Sequence, residues 1–486
     1  MHQPRVSGAS ALQVDSVPVK LPRSVRRLLF GVTLVLAAGL GYGAYLLSRL
    51  APVGTAYAAK TLCSGVFVAG REPQEVMRED ILADNHPLLR LVRPSLDRTG
   101  QLASATFLGF AAREAHYRPG LGCTIALGEG RDALPAAITA GVLFAAQPAG
   151  LGDGLPAGVA GPQVDAVKLQ AAVDDAFVEP DPQRLRRTRA LLVLHAGRIV
   201  AQRYAPGFSA DTPMLGWSMT KTVTGALIGV LVKQGRLKLE HSALLPEWRG
   251  TGDPRAEITL DQLLRMTSGL RFTEDHGDPL EDVALMLFAR PDGAAYAIDK
   301  PLEVPPGTRW EYSSGTSNIL SRMIRDALGS THDYLSFPRR ALFAPLGMHS
   351  AVIEPDASGT LVASSFMYAS PLDWAKLGQF LLQDGVWHGQ RLLPAGWVAY
   401  MATLTPESTR KDFGAHLWVR VPPPFNSALR PRPQLPPGTF HAVGHEGQFV
   451  SVVPSRQLVV VRLGLSRGAQ VWDHEAFLSR LLEALR

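Results

Sequence analysis

The chain has 486 residues, is 46% hydrophobic and carries a formal charge of +6, with ordinary aromatic content (7%). That length and composition suit a multi-domain globular protein and exclude a disordered or fibrous chain. Residues 1–27 hold Arg5, Lys20, Arg23, Arg26 and Arg27 against Asp15, so the remaining chain is close to neutral and has no basic stripe for nucleic acid.

Leu28 to Leu47 reads LLFGVTLVLAAGLGYGAYLL, without a charge. At about 1.5 Å rise per residue this is long enough to cross a bilayer. Positive charge precedes it, so the expectation is a cytoplasmic tail (1–27), a transmembrane anchor (28–48) and an exported, periplasmic or extracytoplasmic remainder. The alternative is a signal peptide cleaved near Ala56-Tyr57-Ala58, which would leave a secreted protein.

Residues 49–146 match no motif and are read as an accessory region. They hold both cysteines, Cys63 and Cys123. In an oxidising compartment these can form one disulfide; two buried thiols is the other reading. Residues 147–165, QPAGLGDGLPAGVAGPQVD, have the composition of a linker.

Two strands, 189–195 and 198–204, flank Ala196-Gly197 as a predicted hairpin. Residues 218–234 form a predicted apolar helix stopped by Gly235. A short helix is expected within 258–270, strands over 448–453 and 458–463, and an amphipathic helix from 473 to 486. The pattern is α+β: an antiparallel sheet with helices on its faces and a separate helical lobe.

Ser218-Met219-Thr220-Lys221 opens the apolar helix. The i, i+3 spacing puts a hydroxyl and an amine on one face. Free N–H groups at the helix start favour an alkoxide and the oxyanion that follows it. Lys221 can take the Ser218 proton if burial lowers its pKa. An ordinary helix-capping serine is the bland alternative. A second SxxK, Ser408 to Lys411, lies in a polar stretch with no helix after it and is read as incidental.

Tyr312-Ser313-Ser314 follows the turn Pro305-Pro306-Gly307-Thr308; a tyrosine near a lysine can hold or pass a proton. His445-Glu446-Gly447 precedes a strand. Gly447 lets that strand approach a substrate, and the Gln448 N–H can share an oxyanion with the Ser218 N–H. His445 can donate to Tyr312 or to a substrate carboxylate.

In this order, SxxK, YxS and HxG resemble the serine hydrolases related to class C β-lactamases and penicillin-binding proteins, which use SxxK, YxN and K/HxG. The segments ITLDQLLRMTSGL (258–270), PPGTRWEYSSGTSNILSRMI (305–324), APLGMHS (344–350) and SPLDWAKLGQFLLQDG (370–385) extend the likeness over about 166–486. The resemblance implies a β-lactamase/transpeptidase-like catalytic domain with its site between sheet and helical lobe. It implies acylation at Ser218, proton handling by Lys221 and Tyr312, and His445 flanking the cleft.

Two departures narrow the activity. Ser314 replaces the YxN asparagine and loses an amide. His445 replaces the lysine of β-lactamases. The GWSMTK and YSSG contexts look closest to the 6-aminohexanoate-dimer hydrolase and esterase group. The expected function is therefore ester or amide hydrolysis on a small molecule, with no cofactor and no metal; DD-carboxypeptidase or β-lactamase activity is the enzymatic alternative. A membrane-anchored sensor or cell-wall receptor with little turnover is the non-enzymatic one. An α/β-hydrolase is disfavoured because Gly216-Trp217-Ser218-Met219-Thr220 lacks the second glycine of GxSxG.

Overall fold

The computed structural model describes residues 22–83, 85–128, 155, 164–429, 431–468 and 470–485. The expected linker, 147–165, falls almost wholly outside them. Two units are distinguished, Met1–Arg49 and Leu50–Arg486. In the first, the described residues form the beginning of helix α1 (Arg23–Cys63), with Leu28, Phe30, Leu34, Val35 and Leu40 exposed. This helix is long and apolar enough to cross a membrane or to act as a signal sequence.

In the second unit α1 ends among buried residues, including Ala56, Ala58, Ala59 and Cys63. A four-stranded antiparallel sheet follows: β1 (Val92–Asp97), β2 (Leu102–Phe107), β3 (Phe110–Arg118) and β4 (Gly122–Ile125). No strand was expected here. Cys63 and Cys123 form a disulfide that ties α1 to β4. Residues 50–128 therefore belong to the same compact unit as the rest. Buried Glu354 pairs with Lys60 and accepts from the Ser64 hydroxyl (2.8 Å) and the Cys123 N–H (2.6 Å).

The predicted hairpin forms β5 (Thr188–His195) and β6 (Arg198–Tyr204), with Ala196 and Gly197 both at positive φ, as a type I′ turn requires. Three later strands, β7 (Phe440–Gly444), β8 (Gln448–Val453) and β9 (Leu458–Gly464), complete a five-stranded antiparallel sheet in the order β7-β8-β9-β5-β6.

Alternate side chains feed two cores. Leu192, Leu194, Val450, Val459 and Val461 join helices α3 (Met219–Lys233) and α9 (Pro371–Leu382). Leu191, Val193, Phe449 and Val460 join α2 (Ala166–Asp175) and α10 (His474–Glu483). Covered on both faces, the central strands are buried almost throughout and largely apolar, where a half-exposed strand would alternate. Among the other helices, α4 (Leu260–Leu264), α5 (Asp282–Phe288), α6 (Gly293–Ile298), α7 (Ser314–Leu328) and α8 (Thr331–Pro338) form the helical lobe.

Candidate active site

Ser218 sits at the start of α3, half-buried. Its hydroxyl makes no capping hydrogen bond to the helix. Instead it faces Lys221, whose Nζ lies 3.1 Å from Ser218 Oγ. The capping alternative is thereby removed.

Lys221 is 2% exposed. Its Nζ also donates to Ser314 Oγ (2.9 Å) and to the Ser364 carbonyl (3.1 Å). Burial lowers its pKa to about 8, against the opposing pull of Glu274.

Tyr312 lies beside this amine, with Lys221 Nζ 4.9 Å from the ring centroid. Phe413 and Trp418 wall the ring at 5.8 and 5.3 Å. Burial and the Glu274 charge push the phenol well above its ordinary pKa, while Ser218 and Trp418 oppose the rise. Tyr312 therefore keeps its proton at neutral pH and is available as a donor.

Ser314 opens α7 one residue after its cap, Ser313. Its N–H and hydroxyl both donate to Glu274, at 2.7 and 2.5 Å. Burial pushes the Glu274 carboxyl up, but His276, Lys221 and Ser314 outweigh it and hold the group below the usual range. An ionised carboxylate only accepts, so Ser314 must give Glu274 its hydrogen and keep its oxygen for Lys221. The sequence reading missed Glu274. It lies in the loop between the helix expected within 258–270 and the turn at Pro305, and no local motif marks it.

His276, from the same loop, lies 3.5 Å from Glu274 and stacks on His445 with centroids 4.7 Å apart. His445 also meets the edge of Trp217, the residue before Ser218, at 5.6 Å. All three sequence motifs thus converge. Burial pushes the His445 imidazole below its ordinary pKa, although the residue keeps solvent contact, which limits the effect.

Two sequence expectations need correction. Gln448 lies opposite Gly444 in the β7–β8 ladder. The strand's other side is marked by His441, which exchanges hydrogen bonds with Trp418 at 2.7 and 3.0 Å. Backbone groups alternate along a strand, so Gly444 turns toward β8 and pairs with Gln448, which uses the Gln448 N–H. Gly444 is extended, so the next N–H, that of His445, turns to the side of Trp418 and Tyr312. Gly447 is not aimed at a substrate either. It sits at φ +83 with its carbonyl accepting from Arg462 (2.7 Å), and a Cβ there would lie 2.5 Å from the guanidinium.

The second SxxK does not form a comparable pair. Ser408 Oγ donates to Asp412 and Lys411 Nζ to the Pro406 carbonyl.

A beta-lactamase family description matches residues 173–474. A 6-aminohexanoate-dimer hydrolase from Paenarthrobacter ureafaciens is 27% identical over 230 residues, which are 44% of this chain and 58% of that protein. The chain thus matches less than two-thirds of this relative's length. Among solved structures, a Bacillus anthracis protein provisionally described as a 6-aminohexanoate-dimer hydrolase aligns with TM-score 0.53 at 20% identity, over 68% of this chain and 86% of that one. A penicillin-binding protein homologue from Caulobacter crescentus aligns with TM-score 0.50 at 17% identity, over 67% and 98%. With the family match covering well over half of its length, the chain belongs to the beta-lactamase family.

Proposed function

We propose that the protein is a serine hydrolase that cleaves an ester or amide through an acyl-enzyme on Ser218. One observation carries this reading: the buried Lys221 amine lies within hydrogen-bond reach of the Ser218 hydroxyl, with its other two polar partners both acceptors, the Ser364 carbonyl and the Ser314 oxygen committed by Glu274. As an ammonium Lys221 can donate to all three; once neutral, its two N–H groups satisfy the two fixed acceptors and its lone pair is left to take the Ser218 hydrogen.

In this mechanism Ser218 Oγ attacks the substrate carbonyl carbon as its proton passes to Lys221 Nζ. The tetrahedral oxyanion is held by the N–H groups of Ser218 and His445. As the bond to the leaving group breaks, Tyr312 donates its proton to the departing oxygen or nitrogen and regains one from the Lys221 ammonium. Water then attacks the acyl ester, its proton is taken up through the same pair, and Ser218 leaves reprotonated. The catalytic unit acts outside the cytoplasm, held by residues 28–48; the length and apolar character of α1 support this.

The test uses the full chain in detergent with p-nitrophenyl esters of short acids. Ser218→Ala should lose at least ~10³-fold in rate. Wild-type rates in that variant would remove the mechanism, and a stable Ser218 adduct without turnover would favour a receptor.

A further inference from the structure

A second buried acid stands at the tip of the β7–β8 hairpin. Glu446 is 6% exposed and sits at φ +61. Its Oε2 accepts the Trp217 indole N–H at 3.2 Å, and its Oε1 accepts from Arg467 Nε at 2.5 Å. Trp217 also has a left-handed backbone, at φ +49. Such a conformation is unfavourable for a bulky residue and persists only where its surroundings enforce it. Gly216 supplies part of that constraint: a Cβ there would lie 2.3 Å from the Trp374 ring, so the backbone packs directly on the indole. Glu446 supplies another part by holding the indole N–H of Trp217, whose ring also packs on His445 and Phe366.

Arg467 is held in turn from a distant part of the chain. Its Nη1 donates to the Ala83 carbonyl, and its Nη2 to the Asp80 carbonyl (2.7 Å) and the Tyr57 hydroxyl (3.3 Å). Tyr57 lies on α1 and donates its own hydrogen to the Asp80 carbonyl at 2.8 Å. The Asp80 carboxylate is clamped by Arg71 and by Arg189 at the start of β5. A buried carboxylate needs a buried cation, and that cation needs its remaining N–H groups satisfied. The link therefore runs without interruption from residues 57–83 to the residue before Ser218.

We propose that the segment 57–83 is a working part of the active site, because it holds Arg467, which holds Glu446, which fixes Trp217 and with it the Ser218 hydroxyl and N–H. Arg467, Glu446 and Trp217 are positioning residues. This rests on Ser218 being the nucleophile.

The test is a double-mutant cycle on the full chain, reading kcat, KM and Tm with p-nitrophenyl acetate, with Ser218→Ala alongside. Trp217→Phe keeps an aromatic side chain but loses the indole N–H; Arg467→Gln removes the cation. Each should lower kcat about tenfold, since small displacements of reacting groups are costly, with KM within about twofold. The double variant should be no slower than the worse single, because both break one chain. If Arg467→Gln does not fold, Glu446→Ala and Glu446→Gln replace it; the glutamine, which keeps an acceptor for the indole, should recover most of the loss seen with alanine. Multiplied losses in the double variant, or a folded Trp217→Phe with unchanged kcat, would overturn the proposal. A dead Ser218→Ala with unchanged Trp217→Phe sinks only this inference; an active Ser218→Ala sinks the reading beneath it.

Discussion

Ser314 gives its hydroxyl hydrogen to Glu274 across 2.5 Å, and its oxygen is thereby left as an acceptor for Lys221. Ser314 and a carboxylate distant in sequence thus act as one unit beside Lys221. The carboxylate fixes the direction of the hydrogen bond, and that direction decides which face of the Lys221 amine is free for Ser218. Glu274→Gln lets the side chain donate to Ser314 and so removes the constraint. The expected result is a loss of about 10- to 100-fold in kcat, with the fold retained, measured with a neutral ester. An unchanged kcat would show that the polarity of Ser314 is irrelevant.

The pH profile follows from Lys221. Its depressed pKa, about 8, means that the basic form grows as pH rises through that value. For a neutral ester, kcat/KM should therefore climb between pH 7 and 9 and level off above. Glu274 opposes the depression, so Glu274→Gln should move the midpoint to lower pH. A flat profile across this range in the wild-type protein would contradict Lys221 as the base.

Tyr312 can be separated from its packing role. Tyr312→Phe keeps the ring against Phe413 and Trp418 and deletes only the hydroxyl. A proton donor of this kind contributes about 10²- to 10⁴-fold, so kcat should fall by that order while Tm changes little. Equal rates in Tyr312→Phe would leave the leaving-group proton to another residue.

Much of this site could be read locally, and the unread part has a physical reason. Ser218 and Lys221 lie within one helical turn, and Ala196-Gly197 can close only a tight hairpin; both are short-range facts. Tyr312 and His445 are candidates by residue type alone, but only the family likeness sets them beside Ser218, because nothing local brings residues so far apart in sequence together. Glu274 carries no local signal: its importance arises only when α7 brings Ser314 against it. The β1–β4 strands were hidden because their faces mix small, charged and aromatic residues, as in FAAREAHYR (110–118). The Gln448 error was one of parity, since alternate N–H groups of a strand face opposite ways. No composition argument distinguishes His445 from Gln448 at that level.

The approach of β7 to the nucleophile gives a last expectation. A Cβ on Gly444 would lie 2.1 Å from the Gly216 carbonyl oxygen, two residues before Ser218. Backbone cannot yield as a flexible side chain would, so in Gly444→Ala either β7 or the Gly216–Ser218 turn must move. Overpacking of this kind costs about 1–3 kcal/mol, so chemical denaturation should show a loss of that size. The same displacement separates the N–H groups of Ser218 and His445, which the mechanism asks to hold one oxyanion. Acylation should therefore slow by about 10²- to 10³-fold, the scale of losing one oxyanion donor. A variant with reduced stability but an unaltered acylation rate would show that the oxyanion is not held between these two strands of backbone.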